Sequence, residues 1–378
     1  MKKKRILVLT DHMPWGHRSI AKAIYKTLKE QEETGNFEVF YSEIKAETGI
    51  AGDAYVLAYR FFPGTNRIAH KLMSRKVVLD LINDASVMNL PRLKKEVEKI
   101  KPDLIISAYF YHSHSLGKWR KKTGKKFKLW TVVADPWTIN PSSFVKDADL
   151  NLVYDEVGER VAAQYDVPKS KVMKTGWWTR PEMYTKYDRS KARKKLGFTD
   201  NRPVVFVGGG SLGTGAMTKI LPSLMFTKRK VGVVFNTGTD KFAFNLVTEY
   251  EKLFRKLKRN DLVQIKNLGW IDNMAEVLAG CDIVFGKAGP NFLFDTVACE
   301  KPFVAITHIG GQEDGNIEII LKKGLGWVKE KNGSCGKFFL KYLENPEMYQ
   351  KKYAKNIKEE AERNQHSFEK ILEKIKEI

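Results

Sequence analysis

The stretch "CDIVFGKAGPNFLFDTVACEKPFVAIT", residues 281–307, decides the fold. Its first part is an apolar run that ends in a turn at Gly289 and Pro290. Its middle is typical of a helix, and "PFVAIT" at its end is a second apolar run. Apolar runs of this length that alternate with helices indicate strands buried on both faces of a parallel sheet with crossover helices. The stretch therefore predicts one strand–helix–strand unit of an α/β fold.

The same alternation occurs in two series along the chain. The predicted strands are at 5–10, 37–44, 102–109, 128–135 and 150–155, where the first series closes, and then at 203–210, 230–238, 263–270, 281–289 and 302–307. A polar segment, 174–203, separates the two series, and 378 residues are enough for two domains. We predict an N-terminal Rossmann-like domain over 1–180 and a second one over 181–350. A charged helix over 351–378 is expected to pack back toward the first domain.

Charge is the strongest signal in the composition. The formal net charge of +22 favours anionic partners, which are nucleic acid, an anionic membrane face or phosphorylated substrates. The basic run 118–128 is either a solvated surface or a contact for an anionic surface. The segment 49–84 mixes aromatic and basic residues, so it is either a pair of core helices or an interfacial membrane segment.

The remaining composition indicates a cytosolic protein without a membrane span. No apolar run reaches the roughly 18 residues that a spanning helix needs. The start, "MKKKRILVLTDH", is interpreted as a first strand rather than a signal peptide because its apolar part is short. The three cysteines have no paired spacing, so neither a disulfide framework nor a zinc site is expected.

A glycine-rich turn opens the second series. In "VVFVGGGSLGTG", residues 204–215, Gly208, Gly210 and Gly213 fit the G-x-G-x-x-G pattern. The next strand ends in Asn236 rather than in an acid, which disfavours a nicotinamide dinucleotide, and no Walker lysine follows the glycines. What remains is a cradle of backbone amides at a helix N-terminus, which suits a diphosphate.

Two later turns carry polar groups that suit a nucleotide sugar. Asp295 lies one turn into the helix after Pro290, where its carboxylate can accept two ribose hydroxyls. In "GGQEDGN", residues 310–316, Gln312 and Glu313 offer donors and acceptors for sugar hydroxyls. The alternative for the acids is favourable interaction with the helix dipole. Because the carboxyl ends of neighbouring parallel strands meet at one edge, the three turns predict one crevice.

These motifs resemble those of a glycosyltransferase group. It comprises the galactolipid (monogalactosyldiacylglycerol) synthases and processive diacylglycerol glucosyltransferases of glycosyltransferase family 28, which are related to the lipid II-forming peptidoglycan transferase. The resemblance rests on "GGGSLGTG" (208–215), "LGWIDNMAEVLAGCDIVFGKAGPNFLFDT" (268–296), "GGQEDGN" (310–316), "TGWWTRPEMY" (175–184) and "GHRSIAKAI" (16–24). It implies the GT-B fold, with two facing Rossmann-like domains, parallel sheets and an interdomain cleft. A UDP-sugar would bind the C-terminal domain as a substrate, and neither a metal nor a cofactor would be required.

The resemblance also implies roles for single residues. His17 matches the general base, Arg180 is the interdomain arginine that meets the diphosphate, and Asp295 binds the ribose. The other implied donor-binding residues are Gly209, Gly210, Ser211, Gly213, Trp270, Ile271, Lys287, Ala288, Gly289, Pro290, Gln312, Glu313 and Asn316.

Other readings stay open for several residues near the strand ends. His17 sits after the first strand, so it either acts as the base or caps its helix. Asp135, at the end of "TVVAD", is a second candidate base or orients His17. His112 and His114 are interpreted first as structural.

The sequence departs from the family pattern at three places. The first loop is "DHMPWGH", residues 11–17, where the family is glycine-rich. Trp178 stands in place of a proline, and Asn291 and Phe292 replace a Gly-Thr pair. The change in the first loop affects which acceptor headgroup is expected to bind. The change at 291–292 affects the expected contact with the ribose of the donor.

The expected function is an inverting transfer of a hexose from a UDP-sugar to a membrane lipid hydroxyl, with diacylglycerol as the expected acceptor. The expected partners are therefore a UDP-hexose, a lipid and an anionic membrane surface, at the inner face of the cell membrane. A polyprenol-linked acceptor and UDP-sugar epimerisation are the alternatives. Nucleic-acid binding is disfavoured because the sequence has no stacking motif or basic-helix motif.

Overall fold

The computed structural model describes residues 3–12, 16–46, 90–209 and 214–378. The segment 49–84, which the sequence predicts as either a pair of core helices or an interfacial membrane segment, lies outside these residues, as do Gly210, Ser211 and Gly213 of the glycine-rich turn. The chain forms two compact units. Unit 1 comprises Met1–Pro181, Ile309–Gly315 and Arg363–Ile378, and unit 2 comprises Glu182–His308 and Asn316–Glu362.

Unit 1 contains a sheet of six parallel strands in the order β2-β1-β3-β4-β5-β6. Its elements up to the last strand are β1 (Lys4–Thr10), α1 (Gly16–Glu30), β2 (Phe37–Glu43), α2 (Leu90–Ile100), β3 (Leu104–Ser107), α3 (Phe110–Thr123), β4 (Lys128–Val132), β5 (Leu150–Val153), α4 (Glu156–Gln164) and β6 (Val172–Lys174). β6 corrects the expectation that β5 closes the series. It has only three half-buried residues, so it leaves no apolar run in the sequence.

Unit 2 contains a second sheet of six parallel strands, in the order β12-β11-β10-β7-β8-β9. The elements that follow β6 in the chain are α5 (Arg189–Lys195), β7 (Val204–Gly208), α6 (Thr214–Leu224), β8 (Val231–Asn236), α7 (Lys241–Lys256), β9 (Val263–Asn267), α8 (Met274–Ala279), β10 (Ile283–Lys287), α9 (Pro290–Ala298), β11 (Phe303–Thr307), α10 (Asp314–Lys322), β12 (Gly326–Val328), α11 (Asn332–Glu344), α12 (Pro346–Lys352), α13 (Ala354–Gln365) and α14 (Ser367–Lys376). The short edge strand β12 was not predicted.

Each sheet is covered by its own apolar core. In unit 1, Leu7 and Leu9 of β1 pack with Ile105 of β3 and with Leu116 of α3. In unit 2, the core joins residues of β7, β8, β10 and β11 to the helices α6 and α11. Because the strands are parallel and buried, the functional side chains must come from the turns at their carboxyl ends.

The strand orders bring particular turns together. In unit 1, β1, β3 and β4 are neighbours, so the turns after Thr10, Ser107 and Val132 meet at one edge. In unit 2, β7, β10 and β11 are neighbours, as the sequence predicted for its three turns. None of the helices in the described part of the chain has the length and apolarity needed to span a bilayer.

Candidate active site

His17 lies in the first turn of α1, beside the carboxyl end of β3. Its Nδ1 is 2.9 Å from the carbonyl oxygen of Ala108. Because a carbonyl only accepts, this contact assigns the imidazole proton to Nδ1 and leaves the lone pair on Nε2. Burial lowers the pKa of His17 below its ordinary 6.5, against smaller opposing effects of Ala108 and Asp11. A neutral imidazole with its lone pair on Nε2 is the form that can accept a proton.

Two further residues at the same edge support this histidine. The ring of Tyr109 meets the ring of His17 edge to face, with centroids 5.3 Å apart. Asp11 follows β1 directly, is 2% exposed, and accepts a hydrogen bond of 2.7 Å from the backbone N–H of Ala46. Neither residue was identified from the sequence. Asp11 follows the predicted strand 5–10 and Tyr109 is the last residue of the predicted strand 102–109, so the strand-end rule that selected Asp135 would have found them.

The two histidines of α3 contact backbone carbonyls, which is consistent with the structural role expected for them. Nε2 of His112 is 2.8 Å from the carbonyl oxygen of Ile44, and Nε2 of His114 is 2.9 Å from that of Ser142. Burial lowers the pKa of His112 to about 4. In these contacts each neutral histidine donates its Nε2 proton to a backbone carbonyl.

Asp135 lies three residues past the end of β4, at the same edge as His17. Burial raises the pKa of Asp135 to about 7, and the carboxylate of Glu313 adds to the rise. The sequence left open whether Asp135 orients His17. The structure gives the contact on Nδ1 to the carbonyl of Ala108, so Asp135 does not orient that nitrogen, and its role as a second candidate base remains a prediction.

The turn 309–315 is packed against the segment after Asp135. Gly315 donates its backbone N–H to Oγ1 of Thr138 at 2.5 Å. A Cβ on Gly315 would come within 2.6 Å of the backbone nitrogen of Thr138, so this approach requires glycine. Glu313 is 5% exposed, and its Oε2 accepts the backbone N–H of Ile309 at 2.7 Å. One carboxylate oxygen of Glu313 therefore stabilises its own turn, and its predicted sugar contact remains a prediction.

Gln312 and Arg180, the other two predicted residues of unit 1, are both half-buried. Gln312 lies in the turn that Glu313 stabilises. Arg180 directly precedes the short 3-10 helix Pro181–Tyr184. Their assigned contacts with the hexose and the diphosphate remain predictions.

In unit 2, the predicted donor turn after β10 is built by backbone contacts. The N–H of Ala288 donates to the carbonyl of Thr307 at 2.8 Å, which ties this turn to β11. Asn316 is 2% exposed, and its Nδ2 donates to the carbonyl of Ala288 at 2.8 Å. Gly289 precedes the helix α9 and Pro290 is its first residue, a position where proline is favoured. Lys287, the last residue of β10, is half-buried beside this turn.

Asp295 lies on α9 and is 6% exposed. Phe292, one turn earlier, explains two glycines at the strand ends. A Cβ on Gly286 would come within 2.4 Å of the Phe292 ring, and one on Gly208 within 3.0 Å. Phe292 thus fills the space above β7 and β10, where the family pattern has a small residue.

Trp270 and Ile271 follow the end of β9. Trp270 is 69% exposed, and its Nε1 donates to Oδ1 of Asp272 at 2.9 Å. From its sequence position alone Asp272 is the expected N-cap of α8, and the structure corrects that expectation. Asn273 caps that helix by accepting the N–H of Glu276, because Asp272 holds the indole instead. An exposed indole fixed at a strand end is a surface on which a planar base can stack.

Two family models match the chain. Residues 17–177 match the model described as monogalactosyldiacylglycerol (MGDG) synthase. Residues 204–375 match the model described as the glycosyltransferase family 28 C-terminal domain. Together the matches cover most of the chain, and the predicted resemblance is confirmed.

Two curated relatives are similar over long alignments. The chloroplastic monogalactosyldiacylglycerol synthase of Spinacia oleracea is 25% identical over 335 residues, which are 85% of this chain and 63% of the relative. The processive diacylglycerol beta-glucosyltransferase of Bacillus pumilus is 23% identical over 387 residues, covering 99% of this chain and 95% of the relative. The chain therefore spans less than two thirds of the plant protein and nearly all of the bacterial one.

The solved structure of MurG from Acinetobacter baumannii has the same fold. It superposes with a TM-score of 0.61 at 13% identity, covering 100% of both chains. At this identity the likeness concerns the fold alone. With the two sheets of six parallel strands, it confirms the predicted GT-B class.

Proposed function

We propose that this chain, whose residues 17–177 match the monogalactosyldiacylglycerol synthase model and whose residues 204–375 match the glycosyltransferase family 28 C-terminal domain, transfers a hexose from a UDP-hexose to a membrane lipid hydroxyl. Diacylglycerol is the proposed acceptor, because the spinach and Bacillus relatives are named for diacylglycerol glycosylation. The proposed transfer inverts the anomeric carbon and uses neither a metal nor a cofactor. The protein would work at the inner face of the cell membrane, bound to its surface.

The chemical step uses His17 as the base. The lipid hydroxyl oxygen forms a bond to the anomeric carbon while the bond from that carbon to the β-phosphate oxygen breaks. The hydroxyl proton passes to Nε2 of His17, and UDP leaves with the electron pair of the broken bond. The imidazolium then returns its proton to water. A positioned base of this kind typically contributes about 10²- to 10⁴-fold in rate.

Asp135 is the competing proton acceptor in unit 1. Its pKa of about 7 means that a large fraction of the carboxyl groups hold a proton near neutrality. Burial lowers the pKa of His17 below 6.5, so the neutral imidazole predominates at the same pH. We therefore assign the proton transfer to His17 and an acid–base role in the surrounding network to Asp135.

The donor is assigned to unit 2. Its diphosphate would be met by backbone amides of the glycine-rich turn, by Lys287 and by the N-terminus of α9, since helix N-termini favour anions. Asp295 would accept the ribose hydroxyls, and the exposed ring of Trp270 would stack on the uracil. Arg180 is proposed to balance the charge that develops on the leaving diphosphate.

The observation that carries this proposal is the tautomer of His17. In the region that matches the MGDG synthase model, the carbonyl of Ala108 takes the Nδ1 proton, so Nε2 is the accepting nitrogen. His112 and His114 also contact backbone carbonyls, so His17 is distinguished by its place in the first turn of α1, which is the position of the general base in the family that the chain resembles. The alignment with lipid glycosyltransferases then supplies the class of the acceptor.

A transfer assay tests the proposal. Purified protein is mixed with radiolabelled UDP-glucose or UDP-galactose and dioctanoylglycerol, and the organic phase is analysed for labelled glycolipid. We expect a labelled lipid with at least one donor. Conversion of one UDP-hexose into another without a labelled lipid would instead support epimerisation. A product formed only with a polyprenyl acceptor would move the assignment to that acceptor class.

A further inference from the structure

A basic groove lies beside the edge strand of the unit 2 sheet. The groove has a volume of about 1160 Å³ and lies between β12, α11 and α12. Five lysines line it: Lys329, Lys331, Lys337, Lys341 and Lys352. They come from three different elements, so the fold rather than one charged sequence run gathers them.

These lysines are not neutralised by neighbouring acids. The residues that line the groove include no carboxylate. Across the described ranges, none of the five lysines lies within ion-pair distance of an Asp or Glu side chain, whereas many other lysines of the chain do. Five uncompensated positive charges around one concavity focus a positive potential there and favour an anionic ligand.

The floor of the groove is apolar. The rings of Trp327, Phe338 and Tyr349 form a cluster with centroid separations of 5.3 to 5.4 Å. Met348 extends the floor and is 48% exposed. Lys329 and Lys352 lie over the rings, with Nζ at 5.5 Å from the centroid of Phe338 and 6.0 Å from that of Trp327. The groove thus combines a hydrocarbon-like floor with a cationic rim.

The apolar floor and the cationic rim together favour one class of anionic partner over the others. Nucleic acid binds basic grooves by stacking bases on exposed rings, but Phe338 and Tyr349 are only 8% and 6% exposed. Inorganic phosphate would use the rim and leave the floor unused. An anionic phospholipid fits both parts, because its phosphate meets the lysines while its glyceride portion covers Met348, the exposed part of the floor.

We propose that this groove of unit 2 is a docking site for anionic phospholipid at a bilayer surface. The inference rests on the proposed function in one respect, since a lipid acceptor gives the protein a reason to reside at a membrane. It goes further by naming the surface and the headgroup charge that would hold it there.

A charge-removal pair tests the site. Lys337 and Lys341 are exposed and one turn apart on α11, so K337Q/K341Q removes two rim charges without touching the floor. The matched control is K355Q/K358Q, which removes two exposed lysines of α13 in the same unit. Circular dichroism and thermal melts check that both variants fold. Binding is measured by co-flotation with phosphatidylcholine vesicles that contain 30% phosphatidylglycerol, and with pure phosphatidylcholine vesicles.

We expect K337Q/K341Q to bind the anionic vesicles about thirtyfold more weakly than the unaltered protein. That factor corresponds to about 2 kcal/mol for two lysines near an anionic surface. The control should stay within about threefold, and all proteins should bind neutral vesicles weakly. Met348→Ser should also weaken anionic-vesicle binding, because it makes the floor polar.

Several results would overturn the inference. Equal loss in K337Q/K341Q and K355Q/K358Q would mean that only net charge matters. A loss of binding to inorganic phosphate or to a single-stranded oligonucleotide, with unchanged vesicle binding, would identify a different ligand. Hexosyl transfer by the unaltered protein to dioctanoylglycerol is measured separately. A failure of that reaction would refute the proposed function while the vesicle result still decides the docking site.

Discussion

At the scale of single residues, one hydrogen bond determines what His17 can do. The 2.9 Å contact between Nδ1 and the carbonyl of Ala108 sets the tautomer, and the edge contact with Tyr109 holds the ring. Burial keeps the imidazole neutral by lowering its pKa. Burial disfavours the charged imidazolium, so it keeps His17 in the neutral form that can accept a proton.

Replacing His17 tests that role. H17Q keeps a polar side chain of similar size but cannot take a proton, so we expect kcat to fall about 10²- to 10⁴-fold. The KM for UDP-hexose should change little, because the donor is assigned to unit 2. H366Q, which alters an exposed histidine of unit 1, is the control and should keep full activity. A kcat for H17Q within about threefold of the unaltered protein would contradict the assignment.

The pH dependence of kcat/KM separates the two candidate bases. A base must be deprotonated, so activity falls as pH drops through the pKa of the base. The pKa of His17 is lowered from 6.5, whereas that of Asp135 is about 7. We therefore expect the acid limb to lie below pH 6.5 and to persist in D135N. A limb near pH 7 that disappears in D135N would identify Asp135 as the base.

Asp135 should also destabilise the fold as pH rises. Its carboxyl has a folded-state pKa of about 7 and an ordinary value of 3.8, so the folded state binds more protons between these values. Stability is therefore lost as pH increases through this window. D135N removes the cost of ionisation and should be more stable by on the order of 2–4 kcal/mol at pH 8, but not at pH 3.5. Urea unfolding at both pH values measures the difference, and a pH-independent difference would refute the account.

At the scale of elements, β12 depends on a glycine. A Cβ on Gly326 would lie 1.7 Å from the carbonyl oxygen of Phe303 on the paired strand β11. G326A should therefore lower the free energy of unfolding by about 2–3 kcal/mol through backbone displacement. Gly333 on α11 has open space around it, so G333A is the matched control and should be neutral or slightly stabilising. Equal urea midpoints for the two variants would be incompatible with this packing.

The elements also explain where sequence analysis succeeds. Long apolar strands and their glycine or proline turns are marked in the sequence, and the turn at Gly289 and Pro290 lies where it was predicted. Three-residue strands such as β6 and β12 carry too few residues for a pattern. The cap of α8 is ambiguous because Asp272 and Asn273 both accept hydrogen bonds, and the indole of Trp270 decides between them.

In the candidate site, too, some residues can be predicted from the sequence whereas their contacts cannot. The family resemblance implied the role of His17 and the end of a predicted strand suggested Asp135, and both roles remain predictions. The partner of His17 is a backbone carbonyl 91 positions away, which no side-chain pattern records. The proximity of Asp135 to Glu313 likewise depends on how the turn 309–315 packs, and on Gly315 in particular.

At the scale of the whole molecule, composition, family and fold point to the same chemistry. The net charge of +22 suits an anionic surface and a nucleoside diphosphate substrate alike. The two family matches cover most of the chain, one for each series of strands. The positive charge is also concentrated locally, because the groove of unit 2 is lined by five lysines and by no carboxylate.

The stereochemistry of the product tests the central claim most directly. A single displacement assisted by His17 inverts the anomeric carbon, so an α-linked UDP-hexose must yield a β-linked glycolipid. The glycolipid formed with dioctanoylglycerol as the acceptor is isolated, and the coupling constant of its anomeric proton, measured by proton NMR, distinguishes an α linkage from a β linkage. The account predicts a β-linked hexosyl lipid with the unaltered protein and almost none with H17Q. An α-linked product, or equal β-linked product from H17Q, would contradict it.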